Sequence, residues 1–338
     1  EFRSMDDRSR SIDAFLQHTG WGRAERAPLA GDASFRRYVR LFHPSGETAM
    51  LMDSPPPQED VRPFIKIAEC LLELSFSAPR ILHADIEQGF LLLEDFGDDT
   101  YTRLLAQDGY ESELYLLATD TLIDLHRGFS GGDGIPPYDD DRLLDEAALL
   151  VDWFLPAIRG EETALATRSD YLDLWKSVIP LARNVPETLV LRDYHVDNLI
   201  HLPGRSGTAA CGLLDFQDAV IGPVSYDLVS LLEDARRDVA PHIAAQCFTR
   251  YMDAFPNLDA DTVHASYAIL GAQRSAKIIG IFTRLDRRDS KPVYLEHIPR
   301  VFRWLEKDLQ HPALESIRSW LDHEVPPAMR AAPRKSAQ

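Results

Sequence analysis

A chain of 338 residues, 45% hydrophobic and 27% charged, can bury one large core or two modest ones and has the composition of a globular protein. Its formal net charge of −18 argues against nucleic acid or an anionic membrane surface as principal partner, since either would be repelled. The three cysteines form no Cys-x-x-Cys and no Cys/His spacing of a zinc site, and no apolar run approaches the roughly 20 residues that span a bilayer. With no hydrophobic signal region at its start, the chain is expected in the cytoplasm, and no obligate protein partner is evident.

In chain order, Glu1 to Ser4 before Met5 reads as a cloning remnant, and residues 5–19 predict a short helix. Residues 36–42 and 48–53 read as strands around His43-Pro-Ser-Gly46, a hairpin. After the strand-breaking Ser54-Pro-Pro-Pro57, Glu59 and Asp60 are expected as first-turn acids of a helix. Its Phe64, Ile65, Ala68, Leu71 and Leu72 recur at helical spacing. Strands at 80–84 and 90–93 follow, and Glu94-Asp-Phe-Gly97 is the expected hinge. Helices are predicted over 113–126, 170–183, 226–237, 241–254 and 261–282, with the acidic 136–141 a solvated connector. The resulting expectation is an α+β, bilobal fold: a small β-rich, nucleotide-binding N-lobe over 5–95 and a larger, mainly helical C-lobe over 96–328. Residues 329–338 are expected to be a mobile tail.

The densest chemistry lies in Leu189-Val-Leu-Arg-Asp-Tyr-His-Val-Asp-Asn-Leu-Ile200 and Gly212-Leu-Leu-Asp-Phe-Gln-Asp218. Apolar runs 199–202 and 209–214 flank the polar Gly204-Arg-Ser-Gly-Thr208, predicting a hairpin whose turn centres near Ser206. Mirroring about that centre sets Asn198 opposite Asp215, with side chains roughly 5 Å apart, so one hard cation could touch both. Asp193, on the loop entering the hairpin, is left to hold a substrate hydroxyl. Such a division of labour is that of phosphoryl transfer: a catalytic-loop Asp, an Asn after four intervening residues, and a second Asp beginning the next loop. Asp227, in Gly222-Pro-Val-Ser-Tyr-Asp-Leu228, is either a first-turn acid of the helix capped by Ser225 or a brace for the catalytic loop.

The loop resembles that of the aminoglycoside and choline phosphotransferase superfamily, which has a protein-kinase-like fold and commonly runs His-Gly-Asp-x-His-x-x-Asn. Asp193, His195 and Asn198 fit the pattern, while Leu191 and Arg192 stand in place of its leading His and Gly. The longer phrases Gly31-Asp-Ala-Ser-Phe-Arg-Arg-Tyr38, Leu51-Met-Asp-Ser-Pro-Pro56 and Leu213-Leu-Asp-Phe-Gln-Asp-Ala-Val-Ile-Gly-Pro-Val224 look like the bacterial anomeric kinases of N-acetylmuramate and N-acetylglucosamine. The resemblance implies ATP-dependent phosphorylation of a C1 hydroxyl in cell-wall sugar recycling, with ATP and an amino sugar as small-molecule partners.

Asp193 is accordingly expected as the catalytic acceptor of the hydroxyl proton, and Asn198 and Asp215 as ligands of Mg²⁺, whose preference for oxygen donors they suit. For ATP, the candidates are Ser34, Phe35 and Arg36 in the 31–38 loop, with Glu94 and Phe96 at the hinge. His195, Asp197, Asp218 and Arg236 are candidates for the sugar, an arginine suiting the lactyl carboxylate of a muramic sugar. One departure stands out. Where kinases place a strand lysine on the phosphates, this chain offers Met52, and its nearest cations are Arg36, Arg37 and Lys66. An aminoglycoside or amino-alcohol kinase, or a catalytically silent nucleotide-binding module, are the alternatives.

Overall fold

The computed structural model describes residues 2–29, 35–107 and 109–333. The chain divides into two compact units, residues 1–106 with 197–218 and residues 107–196 with 219–338. Its strands are β1 (Glu25–Pro28), β2 (Arg37–Phe42), β3 (Thr48–Asp53), β4 (Ile81–Asp85), β5 (Phe90–Glu94), β6 (Glu187–Val190), β7 (Leu199–His201), β8 (Cys211–Leu213) and β9 (Val220–Pro223).

The first unit is built on an antiparallel sheet of order β1-β2-β3-β5-β4. Side chains alternate faces along a strand, so Leu41, Ala49, Leu51, Phe90 and Leu92 form one apolar face. It packs on Phe15 and Leu16 of helix α1 (Phe2–His18). The opposite parity, with Arg40 beside Met50 and Met50 beside Leu93, faces the other way. Edge strand β1 escaped the sequence reading because Glu-Arg-Ala-Pro has no apolar alternation. Helix α2 (Arg62–Glu73) buries Phe64, Ile67, Ala68 and Leu71, and it holds no acidic residue in its first turn. Asp60 instead accepts the Arg62 N–H at 3.0 Å, ahead of the helix.

Hairpin β7–β8 belongs to this unit, where the sequence reading had assigned it to the second lobe. The Leu213 N–H donates to the Ser77 carbonyl at 2.8 Å, and the Ser77 hydroxyl donates to the Ala209 carbonyl at 2.6 Å. Pairing of Leu199 with Leu213 centres the turn at Ser206, so Asn198 lies opposite Leu214, whose N–H it accepts at 3.0 Å. Asp215 therefore stands one residue beyond the expected mirror position.

The second unit is mainly helical around the 28-residue helix Ala260–Arg287. Its core joins Ile279 of that helix to Tyr171, Trp175, Phe154 and Phe302 from three further segments. Gly280 permits a close approach of backbone, since a Cβ there would stand 2.3 Å from the Leu149 backbone. Asp139, in the expected solvated connector, caps helix Asp140–Leu149 by accepting the Arg142 N–H at 2.9 Å. The helix predicted over 226–237 ends at Leu232; Asp234 Oδ1 takes the Arg236 N–H at 2.8 Å, an Asx-turn that competes with helix. Ser225 sits at its N-cap without capping, its hydroxyl instead hydrogen bonded to that of Ser266.

Candidate functional site

In the first unit a cleft of about 310 Å³ collects Tyr38 and Arg40 from the inner parity of β2 and Arg36 from just before that strand. Met50, Leu93, Phe64 and Ile200 supply apolar wall, and Asn198 and Asp215 stand on the same wall. Asp215 adopts a left-handed backbone (φ +55°), which a short Asp side chain tolerates better than most. The turn that carries it is fastened by Phe216, which is buried and stacks on Phe64 of α2 at 4.9 Å between ring centroids. Gln217 Nε2 donates to Asp215 Oδ1 at 2.9 Å.

A carboxamide and a carboxylate on one cleft wall are hard oxygen donors. Among the described residues no group of three His, Cys, Asp or Glu could hold a metal by itself. That donor set fits Mg²⁺, which takes one or two protein oxygens and completes its shell with water and phosphate, and it does not fit a zinc-type cage.

The remaining first-unit candidates separate. Arg36 is buried beside Asp215, with Nη1 3.3 Å from Oδ1, whereas Arg37 is exposed. Phe96 lines the cleft under the Arg205 guanidinium at 5.1 Å, and a Cβ on Gly212 would come within 3.0 Å of its ring. Glu94 also lines it, but its carboxylate is engaged by Arg205 at 2.7 Å and Arg80 at 3.0 Å, and its N–H donates to the Arg80 carbonyl at 2.8 Å. The Phe35 ring is 66% exposed and lies off the cleft wall. Ser34 lies outside the described residues. Asp197 accepts the Thr102 hydroxyl, and Asp218 is exposed and accepts from Gln217 at 3.3 Å. Tyr38 and Arg40 were missed from the sequence, although the period of two from Arg36 along β2 carried the signal.

In the second unit, the loop bearing Asp193 is clamped from below. The buried Asp227 carboxylate accepts the Leu191 N–H at 2.6 Å and the Arg192 N–H at 2.9 Å, so Asp227 braces the loop. Burial pushes its carboxyl up to about 7 against the pull of those two N–H groups. Arg192 occupies a left-handed conformation (φ +69°) where the loop pattern has glycine. Its guanidinium pairs with Glu146 and lies over the Tyr138 ring at 5.6 Å. Glu146 also pairs with Lys277 at 3.1 Å and accepts the Tyr138 hydroxyl.

This arrangement acts on Asp193. Burial alone would raise its pKa, but Lys277, then His195, Arg192 and Arg274, outweigh it and hold the carboxyl below the usual range. Asp193 is thus ionised at neutral pH, as an acceptor of a hydroxyl proton must be. His195 is 6% exposed, burial lowers its pKa, and its backbone N–H donates to the Asp193 carbonyl at 3.1 Å. Arg236 is half-buried near His195 and His297, and its carbonyl accepts from Arg300 at 2.9 Å. Sequence reasoning missed Glu146 and Lys277; the single lysine in an otherwise buried helix was the available signal. A more open groove of about 720 Å³, walled by Trp153, Pro156 and Arg168, contains none of the motif residues.

Residues 25–260 match the model of the phosphotransferase enzyme family. The N-acetylmuramate/N-acetylglucosamine kinase of Caulobacter vibrioides is 36% identical, with 95% of this chain and 97% of that protein covered. The kinase of the same name from Pseudomonas aeruginosa is 38% identical over 85% of each. Among solved structures, the GDP complex of aminoglycoside 2'-phosphotransferase-IIIa superposes with a TM-score of 0.61 at 15% identity, covering 89% of this chain and 98% of that one. A choline/ethanolamine kinase family protein from Mesorhizobium loti gives 0.59 at 12% identity, covering 94% and 99%. These two share the bilobal, kinase-like α+β fold.

Proposed function

The chain belongs to the phosphotransferase enzyme family, and from that premise we propose that it transfers the γ-phosphoryl group of ATP to the C1 hydroxyl of N-acetylmuramate or N-acetylglucosamine. Asp193 accepts the hydroxyl proton. Asn198 and Asp215 hold Mg²⁺, which when bound neutralises charge on the phosphates. Arg36 meets the phosphates, while the Glu94 to Phe96 backbone and the Phe96 ring receive the adenine. Arg236 faces the lactyl carboxylate of a muramic sugar, Asp197 and Asp218 accept sugar hydroxyls, and His195 orders the loop. On this reading the enzyme works in the cytoplasm.

The observation that carries the proposal is the joint presence of Asn198, Asp215 and Arg36 in the lining of one cleft. Positioning and charge neutralisation supply most of the rate in this chemistry, so a cleft with two hard donors and a cation is equipped for it. The test is ADP release with Mg²⁺ and a panel of N-acetylmuramate, N-acetylglucosamine, aminoglycosides and choline, for the natural chain and Asp193→Asn. Turnover should be confined to the acetylated amino sugars and fall at least about 100-fold in the variant. If both proteins bind ATP and neither turns over a sugar, the enzyme reading fails. A ³¹P spectrum that places the phosphate on an oxygen other than O1 would refute the anomeric assignment alone.

A further inference from the structure

Phosphoryl transfer needs a cation on the nucleotide phosphates, and protein kinases supply it as a strand lysine held by a helix glutamate. Neither member of that pair is available here. Met52 is buried on β3, and Lys66 and Glu69 on α2 are both exposed. Two cations line the cleft, Arg36 and Arg40. Arg40 is committed to Asp95 at 2.9 Å, Asp98 at 2.7 Å and the Gly97 carbonyl at 3.0 Å.

Arg36 is placed differently. Its side chain is 12% exposed, and its Nε and Nη1 atoms are buried without a hydrogen-bond partner. The nearest carboxylates, Glu59 at 3.6 Å and Asp215 at 3.3 Å, balance its charge from beyond normal hydrogen-bond length. Glu59 is itself anchored, since its Oε1 accepts the Phe35 N–H at 3.3 Å. The carboxylate is thus tied to the backbone one residue ahead of the arginine it faces.

We propose that Glu59 is a positioning residue, which aims the Arg36 guanidinium at the nucleotide phosphates, and that this loop-borne Arg–Glu pair replaces the strand lysine and helix glutamate of kinases. A guanidinium fork matches phosphate oxygens two at a time, so its orientation matters more than that of a lysine point charge. The inference rests on reading the cleft as the nucleotide site.

The experiment measures the affinity of a non-hydrolysable ATP analogue with Mg²⁺, and KM for each substrate, in the natural chain, Arg36→Met, Arg36→Lys, Glu59→Gln and the double variant Arg36→Met/Glu59→Gln. Arg36→Met should weaken nucleotide binding roughly 10- to 100-fold, the cost of a charged hydrogen-bonding group. Glu59→Gln should weaken it roughly 3- to 5-fold with the sugar KM unchanged. Because Glu59 works through Arg36, the double variant should match Arg36→Met alone. In Arg36→Lys, binding should be better than with methionine. Additive losses in the double variant, or a Glu59→Gln effect on sugar KM instead of nucleotide affinity, would overturn the pairing while leaving the cleft assignment standing. Absence of nucleotide binding by the natural chain would overturn both.

Discussion

Removing the Asp227 carboxylate should disorder the loop that carries Asp193. In Asp227→Ala the Leu191 and Arg192 N–H groups lose acceptors at 2.6 and 2.9 Å. Leu191 is buried and its amide would stay unsatisfied, at about 1–3 kcal/mol; Arg192 is partly exposed and can recruit water at smaller cost. The clamp also opposes the left-handed strain at Arg192, roughly 1–2 kcal/mol, which would then be relieved by the loop relaxing away from its working shape. Against these stands the desolvation of the carboxyl itself, visible in its rise to about 7, which the variant no longer suffers. The net expectation is about 1–3 kcal/mol lost, concentrated in the loop. An ångström-scale displacement of Asp193 costs about 100-fold in rate, so kcat should fall by that order with nucleotide KM little changed. Hydrogen exchange at Leu191 and Arg192, read beside kcat, checks this directly. Slow exchange retained at both amides, or kcat within about threefold of the natural chain, would show that the loop holds its shape without Asp227.

Three other outcomes follow from the packing. Arg192→Gly relieves the left-handed strain but leaves Glu146 without its arginine in a largely buried site, so thermal unfolding should report a net loss of about 2–4 kcal/mol. Gly280→Ala would set a Cβ 2.3 Å from the Leu149 backbone, and the forced shift should cost about 1–3 kcal/mol, measurable by denaturant titration of the second unit. Burial lowers the His126 pKa to about 3, its Nδ1 lying 2.7 Å from the Tyr251 hydroxyl. The unfolded chain therefore binds more protons between pH 6.5 and 3, and stability present above pH 6.5 is lost as pH falls through that window, on the order of 2–4 kcal/mol. A His126→Gln variant should show a flatter pH dependence over that range; an unchanged slope would reject the assignment.

The motif residues were legible because they lie within one stretch of chain. Asp193, Asn198 and Asp215 fall on a loop and a hairpin whose apolar runs and polar turn predict their own pairing, and the structure centres that turn at Ser206. The one-residue error at Asp215 is one of mirroring: reflection of Asn198 about Ser206 gives Leu214, and Asp215 follows it with a left-handed backbone. The hairpin's membership in the first unit was equally hidden, since it depends on Ser77, 132 residues from the Ala209 carbonyl it binds.

What the motif could not supply was the setting of its own carboxylate. Asp193 owes its depressed pKa to Lys277, His195, Arg192 and Arg274, which overcome a burial that by itself works the other way. Lys277 and Arg192 meet at Glu146, a residue from a segment for which the sequence reading named no element. The same bridge explains how an arginine can occupy a left-handed position suited to glycine: the ion pair and the Asp227 clamp together exceed a strain of roughly 1–2 kcal/mol. Departure from the familiar loop pattern at residue 192 is therefore compensated by two distant acids. The other departure, methionine at position 52, has its counterpart in Arg36 and Glu59. At residue 192 the arginine that breaks the local pattern is held by Glu146, a pairing that only the folded chain brings together.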